Sequence, residues 1–195
     1  NYYAPLPYYI GALIHVLGFD FIWTAKILFI LSSLLSAISM YIFTQKLFGQ
    51  KGAFLAAVLY TYAPYRAVDL YVRGALSEAF SFIFFPSIFY FSQLLVEKVT
   101  ALRAIFLSVS LAGLFLTHNV TTLMLIPFLA LFWLYLILRN KKWKAIFPLI
   151  ASSILGLGLA AFFLLPAFFE REFIQTKYLT VGYFDFRAHF VAFYQ

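Results

Sequence analysis

Apolar runs of bilayer length follow one another along almost the whole chain, and no water-soluble fold of this size can hide them all. Crossing a bilayer takes about 20 consecutive apolar residues. Six stretches qualify, at about 21–45, 52–71, 77–96, 103–117, 120–138 and 145–165. Backbone groups within lipid must find partners inside their own segment, so each stretch is read as a helix. The expected fold is an all-α, polytopic transmembrane helix bundle of about six spans. Hydrophobic residues make up 65% of the chain and charged residues 11%, against roughly 45–50% and 25% in soluble domains. Residues 5–18 are apolar but too short to cross, which suits an interfacial or re-entrant helix.

The charges set an orientation. Three short loops hold Lys46 and Lys51, then Lys98 and Arg103, then Arg139, Lys141, Lys142 and Lys144. The alternate segments hold Lys26, Arg66, Arg73, Arg171, Lys177 and Arg187, spread over greater lengths. The basic-rich short loops are therefore expected to be cytoplasmic. Only Glu97 among the acids falls on that side, so the whole net charge of +7 faces one leaflet. This accounts for the basic composition without nucleic acid. The chain is expected to be a multi-pass integral membrane protein.

The chain opens at Asn1 with aromatic and proline residues and no preceding span, so it reads as a fragment. Segments 1–19, 20–165 and 166–195 read respectively as the end of a first outer loop, the helix bundle, and an outer juxtamembrane stretch leading to a missing part. There is no cysteine, which excludes disulfides and thiolate chemistry. His15, His118 and His189 are far apart, and nothing in their spacing supports a metal site.

Small residues recur at four-residue spacing, as in Ser152, Gly156 and Ala160, in Gly52 and Ala56, in Ala53 and Ala57, and in Ser32 and Ser36. Such stripes suit close helix packing in lipid. The second span is broken by Pro64, so its helix either kinks and continues through Asp69 or stops early. Charge gathers immediately after that proline, in the stretch from Pro64 to Glu78. In a helix Arg66, Asp69 and Arg73 share one face, and Glu78 opens the next span, where the helix dipole favours a carboxylate. Ionisable residues at membrane depth are expensive and point to function. Arginines there suit a phosphate, which the guanidinium fork grips in a bidentate way. The alternative is a self-satisfied interfacial salt-bridge cluster.

Thr117, His118, Asn119 and Thr121 form a second polar group at the same side. They face the same vestibule as Arg73, or they make a hairpin turn in which Thr and Asn cap the next helix. Asn119-Val120-Thr121 matches a glycosylation sequon but lies too close to the membrane to be used. Glu170 follows the sixth span and is a further candidate for the vestibule, in a segment that otherwise reads as a solvated linker.

Tyr3-Ala4-Pro5-Leu6-Pro7-Tyr8-Tyr9 resembles the aromatic-proline end of the first outer loop in membrane glycosyltransferases of the GT-C fold. Lys46-Leu47-Phe48-Gly49 and the span ending in Ala63-Pro64-Tyr65 are similar to segments of such proteins. The run from Asp69 to Glu78, with Thr117-His118-Asn119 and Leu165-Pro166 to Glu170, resembles the bacterial membrane family called 6-pyruvoyl-tetrahydropterin synthase-related. True pterin synthases are small, soluble and zinc-binding, so no pterin activity is expected. The resemblance to the bacterial family implies a location in the bacterial cytoplasmic (inner) membrane, and what the GT-C resemblance implies is sugar transfer on the outer face from a polyprenyl-phosphate-linked donor. The catalytic carboxylate, and any divalent metal, then belong to a loop upstream of Asn1, and Asp20 is not assigned that role.

Three readings stay open: a lipid-linked-sugar glycosyltransferase or inactive relative, a lipid or solute transporter, and a non-catalytic membrane scaffold. The candidate substrate-binding residues are Arg66, Asp69, Arg73, Glu78, His118, Asn119 and Glu170, with no metal ligand. Membrane lipids and a polyprenyl-phosphate sugar donor are the expected partners, and nucleic acid is not. Arg73→Ala is expected to abolish lipid-phosphate binding while leaving folding intact.

Overall fold

A computed structural model describes residues 3–170. It is helical throughout, with no strand among the described residues. The main helices are α1 (Leu6–Val16), α2 (Phe21–Thr61), α3 (Pro64–Ala67), α4 (Leu76–Glu97), α5 (Ala101–Phe115), α6 (Asn119–Asn140), α7 (Ile146–Leu159) and α8 (Ala161–Phe169). A π-turn over Val68–Arg73 links α3 to α4, and a 3-10 turn over Trp143–Ala145 leads into α7.

At 1.5 Å per residue the 41 residues of α2 would reach about 60 Å, twice the hydrocarbon thickness of a bilayer. The helix is not straight. Gly49 sits at φ 70° and ψ −176°, a conformation that residues with a Cβ avoid, and the helix breaks there. Side-chain contacts fix the direction of each half. Ser39 donates to the Ile83 carbonyl at 2.8 Å, and Lys46 pairs with Glu97 at the far end of α4. Tyr60 then donates to Phe82, back at the level of Ser39. The chain therefore reverses at Gly49, and the returning arm runs antiparallel to the first. It stops at Thr61, because Pro64 has no N–H to offer and its ring disfavours helical geometry in the residue before it. Of the two outcomes expected for this span, the early stop is the one observed, with α3 and the π-turn completing the return.

Three helices among the described residues, α2, α4 and α6, are long and apolar enough to cross a membrane. A fourth crossing results if the stretch through α7 and α8, bent by 75°, counts as one span. The remaining expected spans fall on shorter pieces: the returning arm of α2, and the 15 residues of α5, about 22 Å long. The expected count of six thus exceeds what helix length supports. α1, with 11 residues, is too short to cross.

The core lies where α4, α5, α6 and α7 meet, around Ile88, Leu95, Leu107, Leu111, Leu125 and Leu149. Phe89 and Phe132 pack edge to face at 4.8 Å, and the Trp133 indole donates to Ser92 at 2.8 Å. The stripe of Ser152, Gly156 and Ala160 is largely buried, and a Cβ at Gly156 would lie 3.0 Å from both Leu111 and the Ser108 carbonyl, so α5 and α7 are in backbone contact. Ser32, Ser36, Ala53 and Ala57 are buried too. The packing role expected for these small residues holds. Many large apolar side chains on the outer faces are exposed, including Leu123, Phe128, Leu131 and Phe147, as they must be in a chain whose solvent is lipid.

The charges segregate to the two ends of the bundle. Lys46, Glu97 and Lys142 are joined at one end, where Lys142 donates to the Glu97 carbonyl. Arg73, Glu78 and His118 border a common cleft at the other.

Candidate functional site

The site is assembled at the junction of three turns. α3 and the π-turn bring Tyr65, Arg66, Asp69 and Arg73; the start of α4 brings Glu78; the α5–α6 turn brings His118 and Asn119. Gly74, at φ 58°, ends the π-turn in the left-handed region and lets α4 begin two residues later. A π-turn inside a helical segment is uncommon and often marks a functional site.

Arg73 holds the cluster together. Its Nη1 lies 2.9 Å from Glu78 Oε2, 3.1 Å from Asp69 Oδ1 and 3.0 Å from the Tyr65 hydroxyl. Tyr65 in turn donates to Glu78. Asp69 is 1% exposed and Glu78 7%, while the Arg73 side chain is 49% exposed. Two buried carboxylates thus share one guanidinium that reaches into solvent. Both carboxylates are turned onto Arg73, and this does not fit a divalent-metal site. No group of three metal-ligating side chains occurs among the described residues.

Burial and the neighbouring Glu78 carboxylate push Asp69 up to about 6, against the pull of Arg73. The hydrogen bond to Glu78, with burial, raises the Tyr65 hydroxyl. Burial lowers the His118 imidazole. A carboxyl whose folded pKa is raised holds its proton to higher pH in the folded state than in the unfolded one. Its stabilising contribution is therefore present in acid and is lost as pH rises from about 4 through about 6. Thermal unfolding in detergent is expected to show wild type losing about 2 kcal/mol relative to Asp69→Asn between pH 4.5 and 7.5. Parallel profiles for the two proteins would contradict the assignment.

Arg66 departs from expectation. The sequence put it on one face with Asp69 and Arg73, but it is 2% exposed and points inward. Its guanidinium lies between the rings of Tyr60 and Phe82, at 5.4 and 5.0 Å, and donates to Ser36 at 2.7 Å. Regular α-helical spacing stops at Ala67, and the wider π-turn carries Arg73 round to the cleft while Arg66 stays in the bundle. Its Nε and Nη2 make no hydrogen bond among the described residues, and neither does Asp69 Oδ2.

The cleft in front of Arg73 has a volume of about 350 Å³. Arg73 and Glu78 form one side, Thr117, His118 and Asn119 the other, and Tyr3 and Tyr8 close it from the N-terminal segment. α4 starts here with no side-chain cap, so its first-turn N–H groups add positive potential. The α5–α6 turn both lines the vestibule and caps a helix. The cap is His118, whose Nδ1 accepts from Thr121 N at 3.4 Å, where the sequence pointed to Thr and Asn. Glu170 is not in this cleft. It borders a neighbouring one of about 260 Å³, lined also by Tyr9, Phe162 and Pro166, and Tyr3 separates the two. Tyr3, Tyr8 and Tyr65 stood in the segments that carry the family resemblance but were not among the candidate site residues, since fourteen tyrosines give no local signal for which of them line a cleft. Arg171, Glu172, Lys177, Asp185, Arg187 and His189 lie outside the described residues.

Residues 1–178 match the family described as 6-pyruvoyl-tetrahydropterin synthase related domain, a membrane protein. The chain is 26% identical over 203 residues to an uncharacterized protein of Lactococcus lactis subsp. cremoris (strain MG1363). That alignment covers 97% of this chain and 32% of the relative, so the chain spans about a third of the relative's length. No solved structure matches. The apolar helices, the segregated charge and a match over nearly the full chain agree: this chain belongs to the 6-pyruvoyl-tetrahydropterin synthase-related family of membrane proteins.

Proposed function

We propose that this chain is part of a membrane glycosyltransferase-like protein that takes a polyprenyl-phosphate-linked sugar at the outer face of the membrane. The observation that carries the reading is Arg73, half exposed in a cleft at the end of the bundle opposite Lys46 and Lys142. Its three polar contacts all run through Nη1, which leaves the other guanidinium N–H groups for phosphate oxygens. His118 and Asn119 across the cleft offer further polar contacts to the headgroup. Glu78 and Asp69 hold Arg73 in place, and a proton on Asp69 relieves their repulsion of an incoming anion. Phosphate binding is therefore expected to tighten as pH falls through about 6. The catalytic carboxylate is assigned to the rest of the full-length protein.

A transporter is the second reading. It calls for polar groups in mid-membrane that are free to meet a solute. The buried hydroxyls of Ser32, Ser108 and Ser152 instead donate to carbonyls of their own helices. One assay separates the readings: full-length protein in proteoliposomes with a labelled polyprenyl-phosphate sugar. Transfer of label to an acceptor supports the proposal. Redistribution of intact lipid between leaflets indicates a transporter, and neither outcome from folded protein indicates a scaffold.

A further inference from the structure

A second cleft, of about 530 Å³, opens at the other end of the bundle, between the C-terminus of α4 and the turn joining α6 to α7. We propose that it is a binding site for the headgroup of an anionic glycerophospholipid. This rests on the membrane family alone and is independent of any role at Arg73.

Lys141, Lys142 and Lys144 line the cleft with Trp143 between them. The acid beside them is Glu97, and it is engaged: Lys46 pairs with it, and Gln93 donates to it at 3.1 Å. Lys142 is spent on the Glu97 carbonyl, where it offsets the negative end of α4. Lys141 and Lys144 are exposed and have no acidic partner among the described residues. Two ammonium groups thus flank a concave surface whose one acid, Glu97, is already paired with Lys46.

Trp143 decides between a free anion and a lipid. It is 57% exposed on a short 3-10 turn, an amphipathic ring placed where the chain leaves one long apolar helix and enters the next. That is where tryptophan anchors at a membrane interface. Val96, Val99 and Ala145 give the cleft an apolar side, and Leu138 on the last turn of α6 and Phe147 on the first turn of α7 are exposed nearby in sequence. A headgroup held by the lysines would leave its acyl chains against that surface. A free phosphate has no use for the apolar wall.

Native mass spectrometry of the purified protein with equal amounts of phosphatidylglycerol and phosphatidylcholine tests this. Phosphatidylglycerol is expected to be retained in preference. Each surface lysine contributes about a fivefold factor, so Lys141→Gln/Lys144→Gln is expected to weaken phosphatidylglycerol binding about thirtyfold. Lys144→Gln alone gives the smaller step, and Lys26→Gln, which lies at the other end, gives none. Equal retention of the two lipids, unchanged binding in the double variant, or displacement of the lipid by millimolar inorganic phosphate would overturn the proposal.

Discussion

Arg73→Ala is expected to destabilise the folded protein by about 2–3 kcal/mol at neutral pH, because it strips the shared cation from two buried carboxylates. The upper end of the range for broken buried pairs does not apply, since the Arg73 side chain is half exposed and partly screened. The sequence alone suggested that this substitution would leave folding intact. The geometry reverses that expectation, since Asp69 and Glu78 are both largely buried and both lean on Nη1. Two further results follow. The loss should shrink at pH 5, where Asp69 carries a proton and only Glu78 is left without its cation. Arg73→Ala/Glu78→Gln should recover part of the stability, because the second change removes the charge that the first one stranded. Arg73→Lys keeps the cation and should stay within about 1 kcal/mol of wild type, but it loses the planar fork that suits phosphate. Chemical or thermal unfolding of the four proteins in one detergent decides the matter, and a fully stable Arg73→Ala would contradict it.

Arg66→Ala is expected to cost more, about 3–5 kcal/mol. It empties the space between Tyr60 and Phe82 and removes the donor to Ser36. Arg66→Met is the informative comparison. Arg66 has no salt bridge among the described residues and two of its nitrogens make no hydrogen bond there, so its charge is buried at a desolvation cost that an apolar side chain of similar volume avoids. Methionine fills much of the same space and should retain most of the stability, within about 1 kcal/mol of wild type. Unfolding midpoints that fall equally for alanine and methionine would show that the charge of Arg66, and not its volume, holds α2 against α4.

The sequence carried the helical class, the segregation of charge to two ends, and the gathering of charged side chains between Pro64 and Glu78. Each is written in hydrophobic run length or in charge spacing, which survive any detail of packing. The reversal at Gly49 was visible as a loop between two runs, and the break after Thr61 as a proline. Other features depend on partners distant in sequence. Nothing near Arg66 says that Ser36, thirty residues earlier, will take its hydrogen bond. The π-turn has no signature in Val68–Arg73, yet it is what separates Arg66 from Arg73. The regular 3.6-residue face drawn through Arg66, Asp69 and Arg73 was therefore a sound extrapolation that local geometry defeats. His118 as a helix cap was missed for a simpler reason: Thr and Asn are the usual caps and stood on either side of it.

In the reading we propose, the cleft at Arg73 takes the phosphate of a polyprenyl-linked lipid. The most direct test is native mass spectrometry of the full-length protein purified in mild detergent, comparing wild type with Arg73→Lys. Wild type is expected to carry a co-purified polyprenyl phosphate that is lost or strongly depleted in Arg73→Lys, with other lipids retained. A folded wild type that carries ordinary phospholipids and no polyprenyl phosphate, or a variant that holds the lipid equally well, would contradict it.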